Sequence, residues 1–445
     1  MSKKLHLISL GCTKNLVDSE VMLGKLSEYD NTQDLEEADV IIVNTCGFIE
    51  AAKQESVQTI LNALQNRKRD SILVASGCLS ERYAKELRDE IPEIDIITGV
   101  GDYDKIDLML EERKKGKKIT ATQDGVFLLN ENNKRIITGS KIHAYIKLSE
   151  GCNQKCSFCA IPSFKGKLHS RTLESTLKEV QNLTKQGYRD FSFISQDSSS
   201  YMRDLGVKDG LVELIKGIEN LAQNGVAIKS ARILYLYPAT TSQKLLNAIE
   251  KSPIFHNYFD MPLQHSSQKL LKTMGRPGEF SALLDTMKAC KNAFMRTSFI
   301  IGHPGESEED FANLCEFIEK YPFDRVNFFA YSSEEGTKSA TMEQIPSKTT
   351  NERLKTINKI FQKQYKKNLK KLIGQEFPII IEGISKEHEF LYSARDMRFA
   401  PEIDGEILIN DKSIDENLDI GFYQVKITEV KGENIIGCVI AKLES

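Results

Sequence analysis

The sequence predicts an α/β chain in three parts: an N-terminal parallel α/β sheet domain, a central partial (β/α) barrel, and a small C-terminal antiparallel β-barrel. Three observations predict this. Apolar runs of strand length alternate with helical patterns near the N-terminus, and the alternation resumes from Lys141. Such alternation implies parallel strands with helices on the faces of the sheet. After Gly374 the helical patterns stop, and five short runs of β character follow, separated by turns.

In the first part, residues 1–118, the segments 4–10, 39–45 and 71–76 read as short buried strands, and Leu16–Leu26 and Ile49–Asn66 as helices. Each strand run ends at a cysteine: HLISLGC at Cys12, ADVIIVNTC at Cys46 and SILVASGC at Cys78. Parallel sheets bind ligands beyond the carboxyl ends of their strands. One cysteine per β/α unit should therefore bring three thiols to one edge of the sheet. The stretch Gly101–Ile136, with its EERKKGKK and NENNKR runs, reads as a hinge.

The second part, residues 138–370, offers six strands: AYIKLS, DFSFIS, SARILYLY, YFDMPL, RTSFIIG and RVNFFAY. Helices fit between most of them, among them Thr172–Gln186, Gly210–Asn224 and Glu308–Lys320. Residues 351–372 read as a basic amphipathic linker helix with a solvated face. The active site of such a barrel lies at the carboxyl ends of its strands. A C-x3-C-x2-C run, Cys152, Cys156 and Cys159, falls there, directly after the first strand. The third part, residues 371–445, contains FPIIIEGI, EFLYSAR, EILIND, FYQVKITEV and NIIGCVIAKL, which suit a small barrel.

Composition bounds the class. The 445 residues are 40% hydrophobic and 28% charged, with a net charge of −3. No apolar run approaches the roughly 20 residues that span a bilayer. The N-terminus lacks the apolar core and cleavage site of a signal peptide, so the cytoplasm is the expected location. Nine cysteines are too few and too spread for a disulfide scaffold. Cys290, Cys315 and Cys438 read as buried small hydrophobes. The other six form the two sets of three.

Three thiolates leave one metal corner open, whereas structural zinc sites and electron-transfer clusters are closed by four ligands. The central run could still be a zinc knuckle, but no second cysteine pair follows it. It could be an electron carrier, but no fourth cysteine lies nearby. The N-terminal three could be unrelated buried thiols at strand ends; their regular recurrence argues otherwise.

At the central run the sequence resembles the radical S-adenosylmethionine (SAM) enzymes. The resemblance implies a 4Fe–4S cluster held by Cys152, Cys156 and Cys159, with SAM chelating the fourth iron. One-electron reduction, from a donor such as flavodoxin or ferredoxin, then cleaves SAM to a 5′-deoxyadenosyl radical. Phe158, before the third cysteine, stands where an aromatic ring packs near the adenine. Gln196, in SQDSSSY, stands at a position that contacts the methionine end of SAM, and Asp197 should shape the pocket. RILYLYP, MPLQHSSQKLLKTMGRP and FIIGHPGES extend the likeness. Arg276 in MGRPG is expected to pair with a carboxylate, of a ligand or of the protein.

The N-terminal cysteines narrow the resemblance to the methylthiotransferases, in which three such cysteines hold a second 4Fe–4S cluster whose open iron carries the sulfur to be delivered. Here these are Cys12, Cys46 and Cys78. One SAM supplies the methyl group and another the radical. SLGCTKNLVDSE and NTCGFIEAAKQES resemble the branch that modifies the β-carbon of an aspartate in small-subunit ribosomal protein number twelve. Thr13 departs from the proline common in that motif, which affects the turn and not the ligand. The C-terminal part resembles a TRAM domain. No general acid or base is implied beyond the six cysteines.

TRAM-like barrels in the tRNA-modifying relatives bind RNA, and RNA binding requires a basic surface. Residues 371–445 instead carry 8 Lys plus Arg against 15 Asp plus Glu, a net −7. An acidic barrel repels phosphate and suits a basic partner such as a ribosomal protein, with YSARDMRFAPEIDGE contributing much of the charge. A merely solvated acidic face is the plain alternative. No tRNA binding and no membrane association are expected. Two rival functions stand beside the leading one: the same chemistry on a tRNA adenosine, and a non-catalytic iron–sulfur protein that binds ribosomes or RNA.

Overall fold

The computed structural model describes residues 3–122, 126–276 and 278–443. Part of the expected hinge, and the outermost positions of the two terminal domain ranges, lie outside these residues.

The N-terminal sheet has six parallel strands, in the order Asp30–Asn31, Lys4–Ser9, Val40–Thr45, Ile72–Gly77, Ile96–Thr98 and Ile119–Ala121. Side chains alternate across a strand, so each strand feeds two cores. Val40, Ile42, Val74 and Ile96 pack on one face, and Ile41, Val43, Leu73, Ala75 and Ile97 on the other. Both faces are covered, as an all-parallel sheet requires. Helices Thr13–Lys25 and Glu50–Asn66 follow the first two long strands, as the sequence predicts.

The stretch read as a hinge is largely structured. It holds the helix Ile106–Lys114 and the edge strand Ile119–Ala121, so the sheet extends past residue 118. The charged run misled because its first half is the polar last turn of that helix and its second half the short turn into the edge strand. Ile106, Met109 and Leu110, at helical spacing, pack inward.

The central part contains the six predicted strands: His143–Lys147, Asp190–Ile194, Ser230–Ile233, Tyr258–Asp260, Phe294–Ile301 and Arg325–Ala330. They form two three-stranded parallel sheets joined through the bridge Ala231–Phe255, an open partial barrel. Ala144 and Ile146 pack under the outer helices, whereas Tyr145 belongs to the core shared with the N-terminal helix Thr13–Lys25. That helix therefore seals the open barrel. The helix Ser347–Lys370 is no free linker. Ile357, Phe361, Tyr365 and Leu369, four residues apart, are buried against helix Glu308–Lys320 and strand Arg325–Ala330.

The C-terminal part is a closed five-stranded barrel: Glu376–Ile384, Tyr392–Asp396, Ile407–Lys412, Asn434–Lys442 and Gly421–Lys431. Four pairings are antiparallel; Ile407–Lys412 and Asn434–Lys442 run parallel. Its segment 392–406 is not an acidic surface, contrary to the sequence reading. Arg395 pairs with the buried Asp190 at 2.6 Å, Arg232 donates to the Met397 carbonyl, and Asp404 accepts from Tyr258. These charges anchor the barrel to the central part. Within the segment only Glu402 is an exposed acid among the described residues; most exposed acids lie elsewhere, among them Glu387, Glu389, Asp411, Asp415, Glu416 and Asp419. Cys290 and Cys438 are buried and Cys315 is half-buried, so all three remain packing residues. Among the described residues no helix is long and apolar enough to cross a membrane.

Candidate active site at the junction of the sheet and the barrel

Cys12, Cys46 and Cys78 stand just past the carboxyl ends of three neighbouring strands. Ser9 pairs in register with Asn44, and Asn44 with Ser76, so the strands end level. Close approach of the loops depends on Gly11, at φ +85°: a Cβ there would lie 2.8 Å from the Cys46 Sγ. Asn15 ties the three loops together. Its Nδ2 donates to the Leu10 and Thr45 carbonyls at 3.1 and 3.0 Å, and its Oδ1 accepts from the Cys78 thiol at 3.7 Å. Burial pushes the Cys78 thiol up to about 12, with Cys12 and Cys46 adding to the rise and Lys165 opposing it. The Cys46 thiol is likewise raised by burial, with Lys14 opposing. The three thiols thus form one electrostatic group flanked by two lysines.

Cys152, Cys156 and Cys159 lie in the loop between the short strand Ser149–Glu150 and the helix Ile161–Lys165. Gly151, at φ +73°, opens the loop; a Cβ there would meet the Lys167 carbonyl at 2.0 Å. The Gln154 N–H donates to the Cys152 Sγ at 3.4 Å, and the Cys159 N–H to the Cys156 carbonyl at 3.2 Å. Burial pushes Cys152 up to about 11 and Cys159 up to about 12. Thiols raised in this way are protonated near neutral pH, and a metal group that binds them displaces those protons. Among the described residues no three His, Cys, Asp or Glu side chains converge tightly enough to hold a single metal ion.

Among the described residues Arg276 pairs with no carboxylate of the protein. It donates to the Cys156 Sγ at 3.4 Å and to the Pro262 carbonyl at 2.6 Å, and it lies 4.2 Å over the Tyr237 ring. Asp197 does shape the loop, accepting from Gln154, Ser199 and Ser200 at 2.7, 2.7 and 2.6 Å. Gln196 donates through Nε2 to Glu150 at 3.0 Å, while its Oε1 is buried with no partner among the described residues. Phe158 meets His303 edge to face at 6.3 Å, and His303 meets Tyr331 at 5.2 Å. Burial holds the His303 imidazole down at about 4, so it is neutral. Its Nε2 bonds Ser339, which in turn donates to Ser157 inside the cysteine loop.

The two triads face one junction. Helix Ile161–Lys165 packs on the helix Cys78–Arg82, with Arg82 5.6 Å from the Phe164 ring. Lys14 sits 3.6 Å over the ring of Tyr235, whose hydroxyl is 3.4 Å from Thr13. Tyr235 itself holds a left-handed φ of +63° at a barrel strand's carboxyl end, a conformation non-glycine residues adopt at a cost and mostly at functional sites. Glu334 clamps the same seam, pairing with Lys53 at 3.2 Å and Arg82 at 3.0 Å. Beneath lies a buried network in which Lys147 bridges Asp18 and Glu150, with Lys165 3.7 and 3.4 Å from the same carboxylates. Burial alone would raise Glu150, but the two lysines bring it down to about 2.

Sequence reasoning named the six cysteines, Phe158 and Gln196 as candidates; it did not name Asn15, Lys165, Tyr235 and His303, which the structure brings beside them. Asn15 follows Cys12 by three residues, one helical turn, which was the signal available for it.

Family models match all three parts: the Uncharacterized protein family UPF0004 over residues 4–99, the Radical SAM superfamily over 146–318 and the TRAM domain over 373–440. The chain is 60% identical over its whole length to the whole of the ribosomal protein uS12 methylthiotransferase RimO of Wolinella succinogenes. It is 58% identical to that of Helicobacter hepaticus, covering 99% of each chain. This chain belongs to the RimO family. Among solved structures, the radical SAM methyltransferase TsrM from Kitasatospora setae matches with a TM-score of 0.53 at 13% identity, covering 76% of this chain and 77% of that one. That likeness concerns the fold. As a RimO-family enzyme with a radical SAM domain, the chain works with an iron–sulfur cluster and SAM.

Proposed function

We propose that the chain methylthiolates the β-carbon of an aspartate in ribosomal protein uS12, using two 4Fe–4S clusters. One is held by Cys152, Cys156 and Cys159 in a radical SAM domain, residues 138–370. The other is held by Cys12, Cys46 and Cys78 in an N-terminal domain of about residues 1–118 plus the following edge strand. Residues 371–445 then form the substrate-binding barrel. The observation that carries the reading is that both thiol triads open onto one junction. It is joined by the full-length likeness to RimO enzymes.

The residues fit the groups they are assigned. Each triad groups three thiols; among the described residues no fourth cysteine joins either, and the Gln196 Oε1, without a partner there, is an acceptor suited to the ammonium of SAM. Bound together, the central cluster and SAM supply a carbon-centred radical, and the N-terminal cluster supplies the sulfur. The chain's part is to hold and orient. Phe158 and the neutral His303 offer an apolar, aromatic wall for the adenine. Arg276 and the Gln154 N–H stabilise negative charge on Cys156 and Cys152. The ion-pair network of Asp18, Lys147, Glu150 and Lys165 fixes the sheet against the barrel, and with it the spacing of the two triads. The electron comes from a separate donor such as flavodoxin or ferredoxin. The acidic barrel accepts the basic protein substrate and no tRNA.

Mass spectrometry of uS12 from cells lacking this enzyme tests the proposal. The aspartate should lose its methylthio group and regain it on complementation. A methylthio group that persists on uS12, or that disappears from tRNA instead, would overturn it.

A further inference from the structure

The chain as a whole has 60 Lys plus Arg against 63 Asp plus Glu, but the helix Ser347–Lys370 has eight against one. Of the eight, Arg353 is buried and paired with Glu306 and Glu308. Lys355, Lys359, Lys363, Lys366, Lys367 and Lys370 are exposed on the outer face. Among the described residues none of these six side chains forms an ion pair or a hydrogen bond. Their spacings of three and four residues stack them on one side of the helix, where like charges repel. From Lys355 to Lys370 the stripe runs about 22 Å.

Two features say what such a stripe can meet. The apolar side of the helix is already spent on the barrel, since Ile357, Phe361, Tyr365 and Leu369 are buried. An interfacial membrane helix must bury that side in lipid, so this helix does not insert into a membrane as one. Second, the stripe leads directly into a barrel of opposite sign, net −7 over residues 371–445. A partner of one charge is repelled by one of the two surfaces. A particle in which a basic protein is set in RNA satisfies both.

We infer that the lysine stripe of helix Ser347–Lys370 is an RNA-backbone binding surface that receives ribosomal RNA phosphates while the acidic barrel engages the protein substrate. This deepens the uS12 proposal and rests on it for the identity of the particle. The contact is electrostatic and independent of sequence. Each lysine–phosphate contact releases counterions and adds about one unit to the slope of log affinity against log salt.

The test uses the reconstituted full-length enzyme and the variant K359Q/K363Q/K366Q/K370Q, with the matching Lys→Arg variant as a charge-retaining control. Binding of a double-stranded RNA hairpin is followed by fluorescence anisotropy across a salt series. The Gln variant should bind at least tenfold more weakly, with a slope lower by about four units, and the Arg variant should bind as the parent does. Methylthiolation by the Gln variant should fall on intact small subunits and be unchanged on free uS12. Equal RNA affinity and slope in the Gln variant would overturn the inference. So would equal losses on subunits and free protein, or full competition by phosphatidylglycerol vesicles. If the parent modifies neither substrate, the uS12 proposal fails, and the RNA-binding result still decides the surface.

Discussion

The two cysteine triads solve one problem in opposite ways. The central triad is local: eight residues of a single loop, Cys152 to Cys159, anchored by Gly151 and overlaid by Arg276. The N-terminal triad is global, with each cysteine on a different strand end and the set assembled only when the sheet forms. A local triad is vulnerable to its own backbone. A global one is vulnerable to whatever sets the loops against each other. The contrast predicts which substitutions separate the two sites.

The largest effect should come from Gly151→Ala. The added methyl would meet the Lys167 carbonyl at 2.0 Å in a left-handed backbone. A cost of about 2–4 kcal/mol, concentrated in the central loop, follows. SAM cleavage, measured as 5′-deoxyadenosine formed, should fall to background while the N-terminal sheet keeps its iron. Loss of iron from both sites would show that the triads are not separable.

Next comes Asn15→Leu, which removes the bonds to the half-buried Leu10 and buried Thr45 carbonyls, about 2–3 kcal/mol. SAM cleavage should persist, with about half the iron lost and no sulfur inserted into uS12. An Asn15→Leu enzyme that still transfers sulfur would remove this residue from the account.

Acid should also distinguish the regions. His143, His256, His265 and His303 all lie in the central part. Burial lowers all four below the ordinary imidazole value, and brings His256, His265 and His303 down to about 4. A histidine kept neutral in this way contributes stability that is full above its unfolded value near 6.5 and is lost as pH falls toward 4. Hydrogen exchange between pH 7 and 4.5 should therefore show the barrel opening before the N-terminal sheet. The reverse order would contradict the assignment.

The smallest effect should be that of Tyr235→Phe. It deletes a 3.4 Å contact with Thr13 but keeps the ring under Lys14. Stability should change by less than about 1 kcal/mol, and SAM cleavage should match the parent. A fall in sulfur transfer alone would give the hydroxyl a role at the junction.

Much of this architecture is legible in the sequence because each element carries its own period. The strand runs ending at Cys12, Cys46 and Cys78 specify a sheet edge, and the C-x3-C-x2-C loop needs no tertiary context. What escaped reading depends on contacts between parts. Lys165 gains its place only when helix Ile161–Lys165 meets Cys78–Arg82, and no pattern in either segment announces the other. Arg395 and Asp404 look like surface charge in sequence, yet they are buried because Asp190 and Arg296 await them. The run EERKKGKK misled for the opposite reason, since a solvated helix face and a loop share its composition.

The most direct test of two independent cluster sites is iron and sulfide counting after anaerobic reconstitution of three proteins. The parent should hold about eight irons per chain. The variant with Cys152, Cys156 and Cys159 changed to Ala should hold about four, as should the variant with Cys12, Cys46 and Cys78 changed to Ala. Only the second of these should still cleave SAM. Loss of all iron in either triple variant, or four irons in the parent, would contradict the account.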